Sequence, residues 1–566
     1  MTPVASVEFI PGIEQNYPVI KGQLGEFQVT VWGRPYISGK RLSEIPVGSS
    51  ITQLAKDLDG EWLLAADSEN EFVIANDRFA SIPVFYAPAK SGFISSTQYL
   101  PIWKELLERR ELEVNQEAFF EFLHFQRLFG ETTFDKSTKT LPPGSIVTFS
   151  KTQLSAESDR YWTPNRTEKY SDTKDSAEAL AFALRTSVHR KTEGTENIGL
   201  LLSGGLDSRV ILGALQGKAG VTAFTVGSNR NNEVRVAESL AKTAGVPFEF
   251  VQRPEDQYAN ALLGSSAVSG GMFSFQHAHF GQLEFGESEQ ILHGHGLDYF
   301  FQGMYIPSTR RKFLGKATAM YALAPIIDSD LSDQYTNGVK YRLKGSSASS
   351  FIKTTWKDQV HNKMSSDIEG LLQQFDEDDA LEAWDLLTTH APSRHYTYLN
   401  LLSIAPGHMQ TTVAFDNEVL DIYLRTPAQV RHGTSLLVET IRQLDPRLLA
   451  VKNANTNHSP ALSPFKLTLS IWLRGLQRRL GLTVESAPEQ SDRSWPSTAR
   501  ILSGSDVINQ RLRSLSTSER LQELDIFDID AISGAVNQFE SGDSNLSGAL
   551  LTFLTIDRFL EEAGTP

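Results

Sequence analysis

Two hydrophobic periodicities divide the chain. Between about Phe27 and Phe93, short runs such as FQVTVWG, EWLLAAD, EFVIAND and IPVFYAP carry β-branched and aromatic residues between Gly, Asp and Pro, which predicts an antiparallel sheet domain. Apolar residues then recur three and four apart in LPIWKELLERREL and NQEAFFEFLHFQRLF, the spacing of one helix face. LPPGSIVTFS reads as a turn feeding a strand. A polar stretch from Thr163 to Ser176 marks the main domain boundary.

Beyond it strands and helices alternate, which predicts a parallel sheet with helical crossovers. A helix from Ser176 to about Arg190 precedes the strand NIGLLLSGG; a helix opens near Asp207, VTAFTVG follows as a strand, and a helix from Glu233 to Ala244 leads to PFEFVQ. After Ile291-Leu292-His293-Gly294 the pattern is predominantly helical to the end, with Glu485 to Arg500 as a loop. Phe465 to Leu480 mixes Lys466, Arg474, Arg478 and Arg479 with Leu, Ile and Trp, and reads as an amphipathic surface helix of the C-terminal domain, with a membrane-docking element as the alternative.

At 566 residues the chain exceeds one hydrophobic core, so at least two cores are expected, in units 1–165, 176–480 and 481–566. The net charge of −15 removes global support for binding nucleic acid or an anionic membrane and favours a small-molecule substrate. The absence of cysteine excludes disulfides, thiolate metal sites and a cysteine nucleophile. MTPVASVEFIPG has no secretory signal pattern, and no apolar run reaches membrane-spanning length. The expected compartment is the cytoplasm, without an integral membrane segment.

The strongest chemical signal is IGLLLSGGLDSRVILGAL. An apolar strand ending at Leu202 runs into Ser203-Gly204-Gly205-Leu206-Asp207-Ser208 and then into an apolar-periodic helix. Two glycines let backbone N–H groups approach phosphate oxygens, and the helix N-terminus adds partial positive charge. Ser203 and Ser208 supply hydroxyls, while Asp207 is suited to hold a Mg²⁺ that contacts phosphate. The Gly-Lys-Ser/Thr ending of a kinase-type phosphate loop is missing, so the loop resembles instead the PP-loop of ATP pyrophosphatases.

Further segments, in order, resemble the asparagine synthetase family. They are Asp77-Arg78 with Ile82-Pro83, Tyr86 and Ser95-Ser96; Gly130, Thr133 and Leu141 to Gly144; Tyr161-Trp162; and Thr225-Val226-Gly227 with Glu233, Ala237 and Ala241. Gly294-His295-Gly296-Leu297-Asp298 occupies the place of that family's second acidic loop, with Asp298 its one carboxylate and Gly303 its closing glycine. Phe415 and Asp416 match the end of a Pro-Phe-Leu-Asp element.

The resemblance implies an α/β multidomain chain: an Ntn-hydrolase-like antiparallel α+β sandwich, then a doubly wound parallel sheet of the adenine nucleotide alpha hydrolase type with a helical C-terminal part. It implies ATP bound by Leu202 to Ser208, Val226, Gly227, Gly294 and Gly296, with Mg²⁺ on Asp207 and Asp298. Lys452 and His295 are the catalytic candidates, the lysine as an oxyanion or adenylate partner. His293 and His295 depart from the family pattern; they would meet a substrate carboxylate or move protons, or else face solvent or a backbone carbonyl.

The family's glutaminase needs a cysteine after the initiator methionine, and here that position is Thr2. The N-terminal domain is expected to keep its fold without that activity, as in β-lactam synthetases and lasso-peptide cyclases. The expected chemistry joins a small-molecule or peptide carboxylate to an amine or ammonia, with a homodimer left open. Alternatives are a noncatalytic scaffold and a tRNA-modifying PP-loop enzyme, the latter opposed by the acidic charge and missing cysteines.

Overall fold

The computed structural model describes residues 6–90, 92–166, 170, 172–313, 315–326, 330–339, 347–375, 377–479 and 495–565. Thr2 and most of the stretch read as a C-terminal loop lie outside them.

The N-terminal strands, predicted and unpredicted, form two stacked sheets. Six antiparallel strands run in the order 155–160, 145–150, 71–76, 62–67, 27–33 and 19–24. Four more run 6–10, 92–96, 85–89 and 139–140; Ser6–Ile10 pairs with Gly92–Ser96 in parallel, the one departure here from an antiparallel sandwich. Alternation explains the stacking: Leu63, Ala65, Phe72 and Ile74 point between the sheets, while Leu64, Ala66, Val73 and Ala75 face the helix Ile51–Asp57. The helix Tyr99–Glu108 covers the outer face of the smaller sheet.

Five parallel strands make the second sheet. Numbered in chain order they are β1 (Ile198–Leu201), β2 (Val221–Gly227), β3 (Phe248–Gln252), β4 (Gln290–His293) and β5 (Met409–Thr412), in the sheet order 3-2-1-4-5. Both faces of the central strands β1, β2 and β4 are buried, so these read as near-continuous apolar runs. Ile198, Leu200, Val221, Ala223 and Leu292 belong to the large cluster that includes the helices 173–191, 207–214, 232–244 and 435–444, whereas Leu201, Phe224, Val226 and Ile291 meet Phe280, Leu283, Phe285 and Ile404. Caps set the helix ends: Asp172 and Asn231 accept from the first-turn N–H groups of their helices, and Gly245 (φ 77°) ends the second.

The structure corrects the sequence pattern in three places. β5 lies in a stretch whose pattern is helical, since four residues, MQTT, are too short for periodicity to register. A hairpin, 308–323, interrupts the same region. Thr498–Ser503 is helical although the expected loop extends to Arg500, because Ser497 accepts from Arg500 N and caps the helix.

One cluster of buried apolar side chains runs from the sandwich interior through the parallel sheet to the last helix, Ser547–Ala563; two smaller clusters flank it. Phe79 stacks on Phe415 at 4.7 Å across the seam, and Phe559 packs against Tyr99 and Trp103. Polar ties reinforce it: Lys191 Nζ donates to Glu61 and to the carbonyls of Thr412 and Phe415, and Arg190 pairs with Asp416 at 2.8 Å.

Candidate active site

In an open parallel sheet the crevice lies where successive connections leave in opposite directions, here between the C-terminal ends of β1 and β4. The loop Leu202–Ser208 leaves β1 there and Gly294–Asp298 leaves β4 beside it. The two glycine-rich motifs therefore meet without being neighbours in sequence.

The first loop is organised by its serines. Ser208 Oγ lies 3.0 Å from Ser203 Oγ and accepts from Ser203 N at 2.9 Å, while Gly205 N donates to Ser203 Oγ at 3.2 Å. Thr225 Oγ1 donates to Leu202 O at 2.6 Å, anchoring the loop's entry to β2, where Val226 and Gly227 are buried. Gly204 is required for contact: a Cβ there would lie 2.3 Å from the Ala454 Cβ. Gly294 is required for the same reason against Asp207. Gly296 (φ 93°) turns the second loop into the helix Leu297–Phe301, whose first turn carries Asp298.

Asp207 and Asp298 are partly open to the crevice. Burial, followed by the charge of Asp298, pushes the Asp207 carboxyl up to about 8, and burial pushes Asp298 up to about 6. Gln302 Nε2 donates to Asp207 Oδ1 at 2.6 Å. Neither carboxylate forms an ion pair with a Lys or Arg among the described residues, and no third metal-ligating side chain joins them to make a closed cage. Such an oxygen-only, half-built donor set fits Mg²⁺, which takes one or two carboxylates and completes its shell with phosphate and water.

Lys452 is exposed, but its backbone is fixed near the site. Arg209, fully buried at the start of the helix after the loop, donates to the carbonyls of Leu448, Val451, Lys452 and Gly204. Ala454 N donates to Gly204 O at 3.1 Å, and Asn232 Nδ2 donates to Ala454 O. This clamp is not legible as a pattern in the sequence, although an arginine directly after Asp207-Ser208 is the signal that could have pointed to it.

His293 and His295 are enclosed. His293 Nε2 meets Gln410 Oε1 at 2.8 Å, and Gln410 Nε2 donates to Tyr17 OH of the N-terminal domain. The His295 ring is surrounded by His293, Tyr299, His395, Tyr398 and Phe415, and its buried Nε2 has no hydrogen-bond partner. Burial holds His293 down to about 4 and His295 to about 3. At neutral pH both are uncharged, which suits a hydrogen-bonding role and disfavours a cationic partner for a substrate carboxylate. His293 is buried, while His295 keeps partial exposure and meets the backbone carbonyl of Pro392. Tyr299, His395 and Tyr398 join the site without a signal in the sequence, because aromatic enclosure leaves no periodic trace in a loop. Asp416 accepts from Glu418 N and pairs with Arg190, so it caps a helix at the seam.

The asparagine synthase family model matches residues 179–417, a span holding both loops and all five strands. Asparagine synthetase [glutamine-hydrolyzing] 1 of Bacillus subtilis is 25% identical over 223 residues, 37% of this chain and 33% of that protein. The protein assigned as asparagine synthetase [glutamine-hydrolyzing] 1 in Methanocaldococcus jannaschii is 24% identical over 218 residues, 36% of each chain. Each match spans about a third of the relative's length. Among solved structures, NMN synthetase from Francisella tularensis aligns at 15% identity and a TM-score of 0.18, covering 40% of this chain and 95% of that one; a likeness of that size adds nothing to the topology. Residues 179–417, with their paired glycine-rich loops at the switch of the parallel sheet, are thus the part of the chain that matches the asparagine synthase family.

Proposed function

We propose that this protein is an ATP-dependent ligase that adenylates a carboxylate, releases pyrophosphate and transfers an amine or ammonia to the acyl group, leaving AMP. The observation that carries the proposal is the facing pair Asp207 and Asp298, without a cationic partner among the described residues, beside the Ser203 to Ser208 loop. Holding two carboxylates together in a partly dry crevice costs stability, which a scaffold would have no reason to retain.

Ser203, Ser208 and the N-terminus of the helix Asp207–Ala214 would receive the phosphates. Asp207 and Asp298 would hold Mg²⁺, which when bound supplies positive charge against the triphosphate and the leaving pyrophosphate. A substrate carboxylate oxygen bonds to the α-phosphorus as the bond to pyrophosphate breaks. The amine nitrogen then bonds to the acyl carbon, AMP leaves with the electron pair of the acyl–oxygen bond, and the amine gives up a proton. Neutral, partly exposed His295 is suited to orient a polar group of the substrate, and Lys452 sits on the loop that closes against Gly204. With no cysteine in the chain, ammonia in solution or an amine of the substrate is the expected nucleophile.

The test is pyrophosphate release from ATP and Mg²⁺ over a panel of carboxylates with ammonia or amines. Release that depends on the carboxylate and disappears in Asp207→Ala supports adenylation. ATP binding without release across the panel would turn the reading toward the scaffold.

A further inference from the structure

A surface outside this site combines exposed apolar side chains with a local excess of positive charge. The hairpin 308–323 and the helix Pro464–Arg479 pack together: Thr468 Oγ1 accepts from Ala319 N at 2.8 Å, Trp472 Nε1 donates to Ala317 O, and Phe313 stacks on Trp472. Each element carries four Lys or Arg and neither carries Asp or Glu, although the whole chain has a net charge of −15. Seven of the fifteen large apolar side chains exposed among the described residues lie on these two elements, so their clustering is not the scatter expected of a monomer surface.

On the helix, Phe465, Leu469, Leu473 and Leu476 recur at spacings of four, four and three, which puts them on one side. They are 69, 48, 51 and 53% exposed, while Thr468, on a neighbouring side, is buried against the hairpin. The helix thus turns an apolar stripe outward along its whole length, roughly 24 Å for sixteen residues. Lys466 lies on the helix, and Arg310, Arg311, Lys312 and Lys316 on the hairpin beside it.

We propose that this face docks the protein on an anionic lipid surface. The occupant follows from charge and shape. A second copy would bring cations against cations. An acidic polypeptide would match the cations but would leave the outward apolar stripe of Phe465, Leu469, Leu473 and Leu476 unmatched. A bilayer interface accepts a row of large apolar side chains at the headgroup boundary and attracts cations electrostatically. No helix among the described residues is long and apolar enough to cross a membrane, so such docking would be peripheral and reversible.

The test is sedimentation of the full chain with phosphatidylcholine vesicles, with and without about one third phosphatidylglycerol. The expected result is binding to the anionic vesicles alone, weakened by salt. Binding should fall at least about tenfold in the double variant Leu469→Glu, Leu473→Glu and stay unchanged in Val507→Glu, which alters an exposed apolar residue elsewhere. Matching thermal unfolding curves for both variants would show that the double variant still folds. No binding to anionic vesicles, or equal loss in Val507→Glu, would overturn the proposal. So would binding to polyglutamate, or a concentration-dependent dimer, that the double variant abolishes while vesicle binding persists.

Discussion

Gly294 stands so close to Asp207 that a side-chain carbon on it would lie 2.8 Å from the Asp207 carbonyl carbon and 3.0 Å from its Cβ. The second loop can approach the first because this residue has no side chain. Gly294→Ala must push the two acidic loops apart, with a stability loss of about 1–3 kcal/mol for overpacking. The larger effect should be on the site: nucleotide affinity measured by calorimetry is expected to fall at least about tenfold, since charge and donor placement tolerate little displacement.

Asp207 and Asp298 should respond differently from Gly294. Asp298→Asn removes a charge without adding bulk and relieves a repulsion that raises Asp207. Without nucleotide or metal the variant is expected to unfold at a temperature equal to or above that of the parent. With ATP and Mg²⁺ it should lose at least about a hundredfold in pyrophosphate release if the carboxylate offsets charge as the α-phosphorus is attacked. Greater stability together with lost turnover would separate a functional carboxylate from a structural one.

Arg209 holds the 448–454 segment against the nucleotide loop through four carbonyls. Lysine keeps the charge and loses the planar fork. Arg209→Lys is expected to cost about 1–3 kcal/mol in urea unfolding, from carbonyls left without donors. It should also weaken nucleotide binding by releasing Ala454 from Gly204.

Lys191 and Glu61 form a buried pair at the domain seam, 3.1 Å apart. Removing the cation leaves a buried carboxyl and two carbonyls to be satisfied, so Lys191→Met should cost about 3–5 kcal/mol. Glu61→Gln added to it should restore part of that loss. A strictly additive double variant, measured by chemical denaturation, would show that the pair does not couple the two halves.

Glu121 supplies a pH dependence whose sign follows from burial. Desolvation pushes its carboxyl from 4.5 up to about 7. Between those values the folded chain keeps a proton that the unfolded chain has released, so the group's contribution to stability falls as pH rises from about 4.5 to about 7. Glu121→Gln cannot ionise and can still accept from Phe129 N. It should flatten the stability profile across that window and gain roughly 1–3 kcal/mol at pH 8, because holding the proton through each pH unit is worth about 1.4 kcal/mol. Thermal melts of both proteins from pH 4.5 to 8 would check this.

The sequence by itself determined the sandwich strands 27–33, 62–67, 71–76, 85–89 and 145–150, the strand-loop-helix around Ser203 to Ser208 and the second loop through Asp298, while strands 6–10, 19–24 and 155–160 appeared only in the structure. Each of the former is written locally, in side-chain alternation, glycine placement and caps that act within a few residues. It also excluded a cysteine nucleophile. Tertiary structure alone decided that Gly294 packs on Asp207, that Arg209 ties the 448–454 segment to Gly204, that β5 completes the sheet and that His295 is neutral inside an aromatic cage. Those outcomes depend on close packing and desolvation between segments from tens to more than two hundred residues apart, and neither leaves a periodic signal along the chain.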